Sequence, residues 1–172
     1  SMGHEVKIGG SGTSLEYLHR YFNKQDFISI SSPTIKYGKK QAIGAGFAVS
    51  FFSFTKGILH DKRALKTIIK DHKFDVVISD NRPGLFSNDI KSIYITHQFN
   101  VLTRKPRSLS GRLVRLAHRK LMDKFDYCLI PDNYGAQSMA GLLARAELNQ
   151  KNHYIGVLSR FSEMKLAENV HN

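Results

Sequence analysis

Three short stretches of the chain carry side chains that can do chemistry. The densest is Thr96-His97-Gln98-Phe99-Asn100. Histidine, with an unperturbed pKa of ~6.5, can take a proton from an attacking hydroxyl or hold it by a hydrogen bond. Gln98 and Asn100 are neutral donor–acceptor groups suited to reading hydroxyls. Asp80-Asn81-Arg82-Pro83-Gly84 sets a carboxylate, an amide and a guanidinium in consecutive positions, a set able to hold hydroxyls and a phosphate together. The same residues also make an ordinary turn in which Asp and Asn bond their own backbone. In the third stretch, Gly9 to Ser14, the backbone of Gly10, Ser11, Gly12 and Thr13 offers N–H groups where a helix should begin, a candidate phosphate cradle. It has neither the dinucleotide-binding glycine spacing nor a P-loop lysine, so a plain tight turn explains it better. With one cysteine and no clustered ligands, neither a metal nor a cofactor is expected.

These stretches need a scaffold, and the hydrophobic pattern supplies one. Val76 to Ser79, Ser92 to Thr96 and Tyr127 to Ile130 are short, continuous apolar runs, the pattern of parallel strands covered on both faces. Alternation in His4 to Ile8 and Phe27 to Ile30 predicts two earlier strands. His153 to Val157 predicts a last short one. Between them lie three helical stretches. The first is capped by Thr13 or Ser14 and carries Leu15, Leu18 and Phe22 on one face. The second is long, from about Phe47 to Lys70, with Phe47 to Phe54 apolar all round and Gly57 as a place to bend. The third, Leu109 to Phe125, sets Leu113, Leu116, Ala117, Lys120 and Leu121 on one face and arginines on the other. Strands alternating with helices predict an α/β fold, a Rossmann-like doubly wound parallel sheet in one domain over residues 3–161, with 162–172 as a polar tail or linker. In such a sheet ligands bind beyond the carboxyl ends of the strands, where the Asp80 and His97 stretches fall.

Composition narrows the partners. Of 172 residues 41% are hydrophobic and 23% charged, a balance that folds rather than stays disordered. A formal charge of +12 calls for something anionic: nucleic acid, acidic lipid headgroups or a phosphorylated substrate. The basic run Arg104, Lys105, Arg107, Arg112, Arg115, Arg119 and Lys120 suits an anionic membrane surface. Nucleic acid is the weaker rival, since no recognised nucleic-acid motif is present. A non-enzymatic basic binding module is therefore the alternative to an enzyme. The lone Cys128 sits in an apolar run, a buried strand residue rather than a nucleophile, and the absence of disulfides suits a cytoplasmic protein.

The order of Val76 to Leu85, Ile95 to Asn100, Phe125 to Asp132 and Tyr154 to Phe161 resembles bacterial glycosyltransferases of the GT-B fold, nearest to the family 28 proteins, which include the peptidoglycan N-acetylglucosaminyl transferases. The resemblance runs from Glu5 to Phe161. In that family a His-Glu-Gln-Asn stretch lines the acceptor side of the cleft; here His97 and Asn100 keep their types and the acid does not appear. Gly156 and Arg160 match the passage that leads into the family's donor domain. The resemblance implies an acceptor-side domain that works with a nucleotide-sugar donor held by a second domain, on an acceptor that in some members is lipid-linked. It also implies a chain that starts at the family's second strand and transfers no sugar by itself. His97 would be the catalytic group, with Asp80, Asn81, Arg82, Gln98 and Asn100 binding the acceptor.

Overall fold

A computed structural model describes residues 3–22, 26–31, 45–100, 108–146 and 148–158, with the side chains of 45–52 and 110 left out. The order is β1 (Lys7–Gly10), α1 (Gly12–Tyr21), β2 (Asp26–Ser29), α2 (Ala45–His72), β3 (Val76–Asp80), β4 (Lys91–Ile95), α3 (Leu109–Met122), β5 (Tyr127–Ile130) and β6 (Asn152–Tyr154). All strand pairing is parallel, so the class is the α/β, Rossmann-like one anticipated from the pattern. The strands are divided over two sheets, β1-β2 and β3-β4-β5-β6. The described chain likewise forms two compact units, residues 1–75 with 84–87, and residues 76–83 with 88–172. The tail expected at 162–172 and Arg104, Lys105 and Arg107 lie outside the described residues.

In the first unit, β1 and β2 pair from Lys7 with Asp26 to Gly10 with Ser29, and the Lys7 ammonium donates to the Asp26 carboxylate at 2.8 Å. Helix α1 begins after Ser11, not after Thr13 or Ser14, and Ser11 caps it without a side-chain hydrogen bond. No residue of α1 is fully buried; Leu15 and Leu18 are half-buried and Phe22 is exposed. Helix α2 passes through Gly57 as one element of 28 residues. Of the apolar segment Phe47 to Phe54, the side chains of 47–52 lie outside the described ones; Ser53 is half-buried and Phe54 exposed. Gly84 packs against this helix so closely that a Cβ would lie 2.9 Å from the Ile58 Cα and 2.6 Å from the Asp61 Cβ. Only glycine fits there without moving backbone.

The second unit is better buried. Ser79, Tyr94 and Cys128 are in register on one face of the four-stranded sheet. Phe125, just beyond α3, stacks on Tyr94 with ring centroids 4.7 Å apart, and the Cys128 thiol reaches the Met122 carbonyl at 4.0 Å. Burial pushes the Tyr94 hydroxyl up to about 12. Ser108 caps α3 by accepting from the Gly111 N–H at 3.1 Å. The Lys151 ammonium donates to the Asp123 and Phe125 carbonyls just beyond the helix's other end, where a cation suits the dipole. Asp126 ties the start of β4, accepting from the Ser92 N–H at 2.8 Å and from Lys91 at 3.1 Å. The Ser92 bond first, and Lys91 after it, hold its carboxyl below the usual range.

One expectation for β3 is corrected. Its continuous apolar run predicts cover on both faces, yet Val76 and Ile78 are exposed, Ile78 by 61%. Strand β3 is the edge of its sheet, and Val76 and Ile78 alternate away from the face that buries Ser79. Among the described residues no helix is long and apolar enough to cross a membrane.

Candidate functional site

The Asp80 and His97 stretches lie at the carboxyl ends of neighbouring strands, since Asp80 pairs with Ile95. Thr96 is the hub between them. Its side chain is 1% exposed; the hydroxyl donates to Asn81 Oδ1 at 2.7 Å and accepts from the Gln98 N–H at 3.0 Å. Asn81 takes a left-handed backbone, φ 50°, and its N–H donates to the Ile95 carbonyl at 3.0 Å. Asparagine tolerates that region better than most residues, because its short polar side chain bonds locally. Ser79, buried one residue before Asp80, donates to the Arg82 carbonyl at 2.6 Å and closes the turn. Two strand ends are thus locked by three hydroxyl and amide side chains.

On this frame Asp80, His97 and Gln98 are exposed and Arg82 is half-buried. The His97 ring makes no hydrogen bond or ion pair among the described residues. An acid, an imidazole, an amide and a guanidinium therefore sit on adjacent strand ends, next to a fixed backbone. Such a set can orient hydroxyls, accept one proton and attract an anion.

Asn100 has other work. Its side-chain amide donates to the Leu142 carbonyl at 3.1 Å and to the Arg145 carbonyl, and its N–H donates to the Leu143 carbonyl at 2.8 Å. Both amide hydrogens are spent on backbone, so in this structure Asn100 braces loop 96–100 against loop 139–146. Phe99 adds an apolar contact to the same junction, packing on the cluster of Ile130, Ala144 and Ala146. Tyr154 completes it: its hydroxyl accepts from the Ala146 N–H and donates to the Ala144 carbonyl, both at 2.8 Å.

Asp132, to which the sequence assigned no role, anchors the loop after β5 with four hydrogen bonds. Its 1%-exposed side chain follows β5 and accepts from the Ser138 hydroxyl at 2.6 Å and from the N–H groups of Asn133, Met139 and Ala140 at 2.7, 2.8 and 3.0 Å. The Ser138 bond leads these contacts in holding the carboxyl well below the usual carboxylate range. The signal was faint: an Asp after a strand with a Ser six residues on is common in turns.

The glycine turn belongs to the first unit. Gly12 has φ 51° with open space where a Cβ would point, and Gly10 packs on Leu15. The turn geometry accounts for Gly10, Ser11, Gly12 and Thr13 without a ligand. Cys128 is 2% exposed and burial pushes its thiol up to about 11, the profile of a core residue rather than a nucleophile. Among the described residues no group of three His, Cys, Asp or Glu side chains is placed to hold a metal.

What fold and site define is a class: an α/β chain of parallel strands with a polar cluster at the carboxyl ends of β3 and β4. Comparison with protein-family models, curated proteins and solved structures finds no match.

Proposed function

We propose that this chain is the acceptor-side domain of a glycosyltransferase that moves a sugar from a nucleotide-sugar donor to a hydroxyl. The observation that carries the proposal is the strand-end cluster, in which exposed His97, Gln98 and Asp80 stand on a frame fixed by Thr96, Asn81 and Ser79. Carboxyl strand ends are where parallel α/β folds bind ligands. The motif order that resembles family 28 glycosyltransferases supports the same assignment.

In this mechanism His97 accepts the proton of the acceptor hydroxyl as its oxygen forms a bond to the anomeric carbon. The bond from that carbon to the donor's phosphate breaks, and the nucleoside diphosphate leaves. Asp80 and Gln98 orient the acceptor's hydroxyls, and Arg82 draws an anionic acceptor to the cluster. Asn100 acts at one remove, by holding the loop that follows His97. Stabilising the departing diphosphate falls to the donor-binding domain.

Isothermal calorimetry of the 172-residue chain with uridine diphosphate sugars tests this division of labour. The expected result is no binding in the micromolar range. Micromolar affinity would place a donor site in this chain and overturn the acceptor-side assignment.

A further inference from the structure

The sequence pattern of α3 predicts that its leucines pack inward and its arginines face out. The structure departs from that. Gly111 and Met122 are buried and His118 and Leu121 half-buried, and they line the helix's inner side. Leu109, Leu113 and Leu116 are 74%, 56% and 53% exposed. At 3.6 residues per turn these three and Lys120 fall within one sector of about 60°, roughly opposite Gly111, His118 and Met122. Helix α3 therefore buries one side and leaves the three leucines of the opposite side exposed.

The outer stripe has a distinct chemistry. Exposed Arg112 and Arg119 flank it on one side and exposed Lys120 lies in line with it. Helix α3 contains no Asp or Glu. Three leucines beside same-sign charges, on a chain of formal charge +12, match a surface that is anionic outside and apolar a few ångströms in. A nucleic-acid backbone would use the arginines and leave the leucines in water. An acidic protein groove would take both, whereas a bilayer supplies anion and hydrocarbon in unlimited area.

We infer that the outer face of α3 is a membrane-docking surface, which lays Leu109, Leu113 and Leu116 into the headgroup region of an anionic bilayer while Arg112, Arg119 and Lys120 engage its phosphates. This stands apart from the acceptor-side assignment, because it rests on α3 alone.

Vesicle cosedimentation of the 172-residue chain tests it, using phosphatidylglycerol-containing and pure phosphatidylcholine vesicles. Binding should be at least ~10-fold stronger to the anionic vesicles and should weaken as salt rises. The pair Leu113→Gln and Leu116→Gln should lower binding ~10-fold or more at every salt concentration, with an unchanged melting temperature because both leucines already face water. The pair Arg112→Gln and Arg119→Gln should remove much of the salt dependence and leave a weak, lipid-insensitive remainder. Equal binding to both vesicle types overturns the inference. So does undiminished binding by the leucine pair, or a fall in its melting temperature, which would place the stripe inside the fold. A dimer in solution that the leucine pair dissociates would assign the face to self-association, and binding to duplex RNA that the leucine pair leaves intact would assign the charge to nucleic acid; either result also overturns it.

Discussion

The two units of the chain spend their polar groups differently. In the second unit the buried polar side chains Ser79, Thr96 and Asp132 all have hydrogen-bond partners, and two of the three set the frame of the strand-end cluster. In the first unit α1 buries no residue fully, Ser11 caps it without a side-chain bond, and His60 Nδ1 is buried without a hydrogen-bond partner among the described residues. The other nitrogen of that ring meets Ser31 Oγ at 3.1 Å, and the Asp61 carboxylate lies 3.7 Å from Nδ1. A satisfied buried network fixes geometry, whereas an open turn leaves geometry to whatever binds it. The site is therefore assigned to the unit whose strand ends are locked.

The largest test of this contrast is a pair of core truncations. Phe125, 1% exposed and stacked on Tyr94, should cost ~3–5 kcal/mol on replacement by alanine. Half-buried Leu18 of α1 should cost no more than ~1–2 kcal/mol, because truncation there removes little buried area. Urea denaturation of both variants measures it. Equal losses would erase the distinction.

Asp132 comes next. Asp132→Ala leaves three backbone N–H groups and a serine hydroxyl without their acceptor and should lower the melting temperature by about 5 °C or more. The sign of its pH dependence follows from the lowered folded-state pKa. The contribution of Asp132 is fully present above the unfolded carboxyl value of ~3.9 and is lost as pH falls through the lower folded value. Thermal melts from neutral pH down to strong acid should show the wild type losing more stability below about pH 4 than Asp132→Asn does. Parallel profiles would show that the carboxylate is not held as described.

The smallest effect sharpens the site itself. Thr96→Val keeps shape and removes the hydroxyl, so Asn81 loses a donor and the Gln98 N–H loses its acceptor, at ~1–3 kcal/mol. Amide resonances of Asn81, His97 and Gln98 should shift while those of β5 stay in place. Shifts spread evenly over the sheet would mean that Thr96 supports the core rather than the cluster.

Much of this was legible in the sequence because it rests on short-range patterns. The runs at Val76, Ile93 and Tyr127 became β3, β4 and β5 within a few residues, and Cys128 became a core thiol. What was not legible depended on partners distant in sequence. Asn100 looks like a hydroxyl reader until the carbonyls of Leu142 and Arg145 take its amide hydrogens. Asp132 looks like any post-strand turn until four donors converge on it. The leucines of α3 have helical spacing, but spacing gives a stripe and not the side it faces. The division of strands over two sheets was likewise beyond the pattern, since short runs such as Lys7–Gly10 name no neighbour.

The central claim is that His97 does the acceptor chemistry, and steady-state kinetics of His97→Ala in the enzyme expressed from its full reading frame tests it most directly. The exposed ring contributes no hydrogen bond to the described fold, so the melting temperature should not change. Turnover should fall by ~10²–10⁴-fold if the ring takes the proton, against about ten-fold for loss of one neutral hydrogen bond. Full sugar transfer with an unchanged melting temperature would contradict the account.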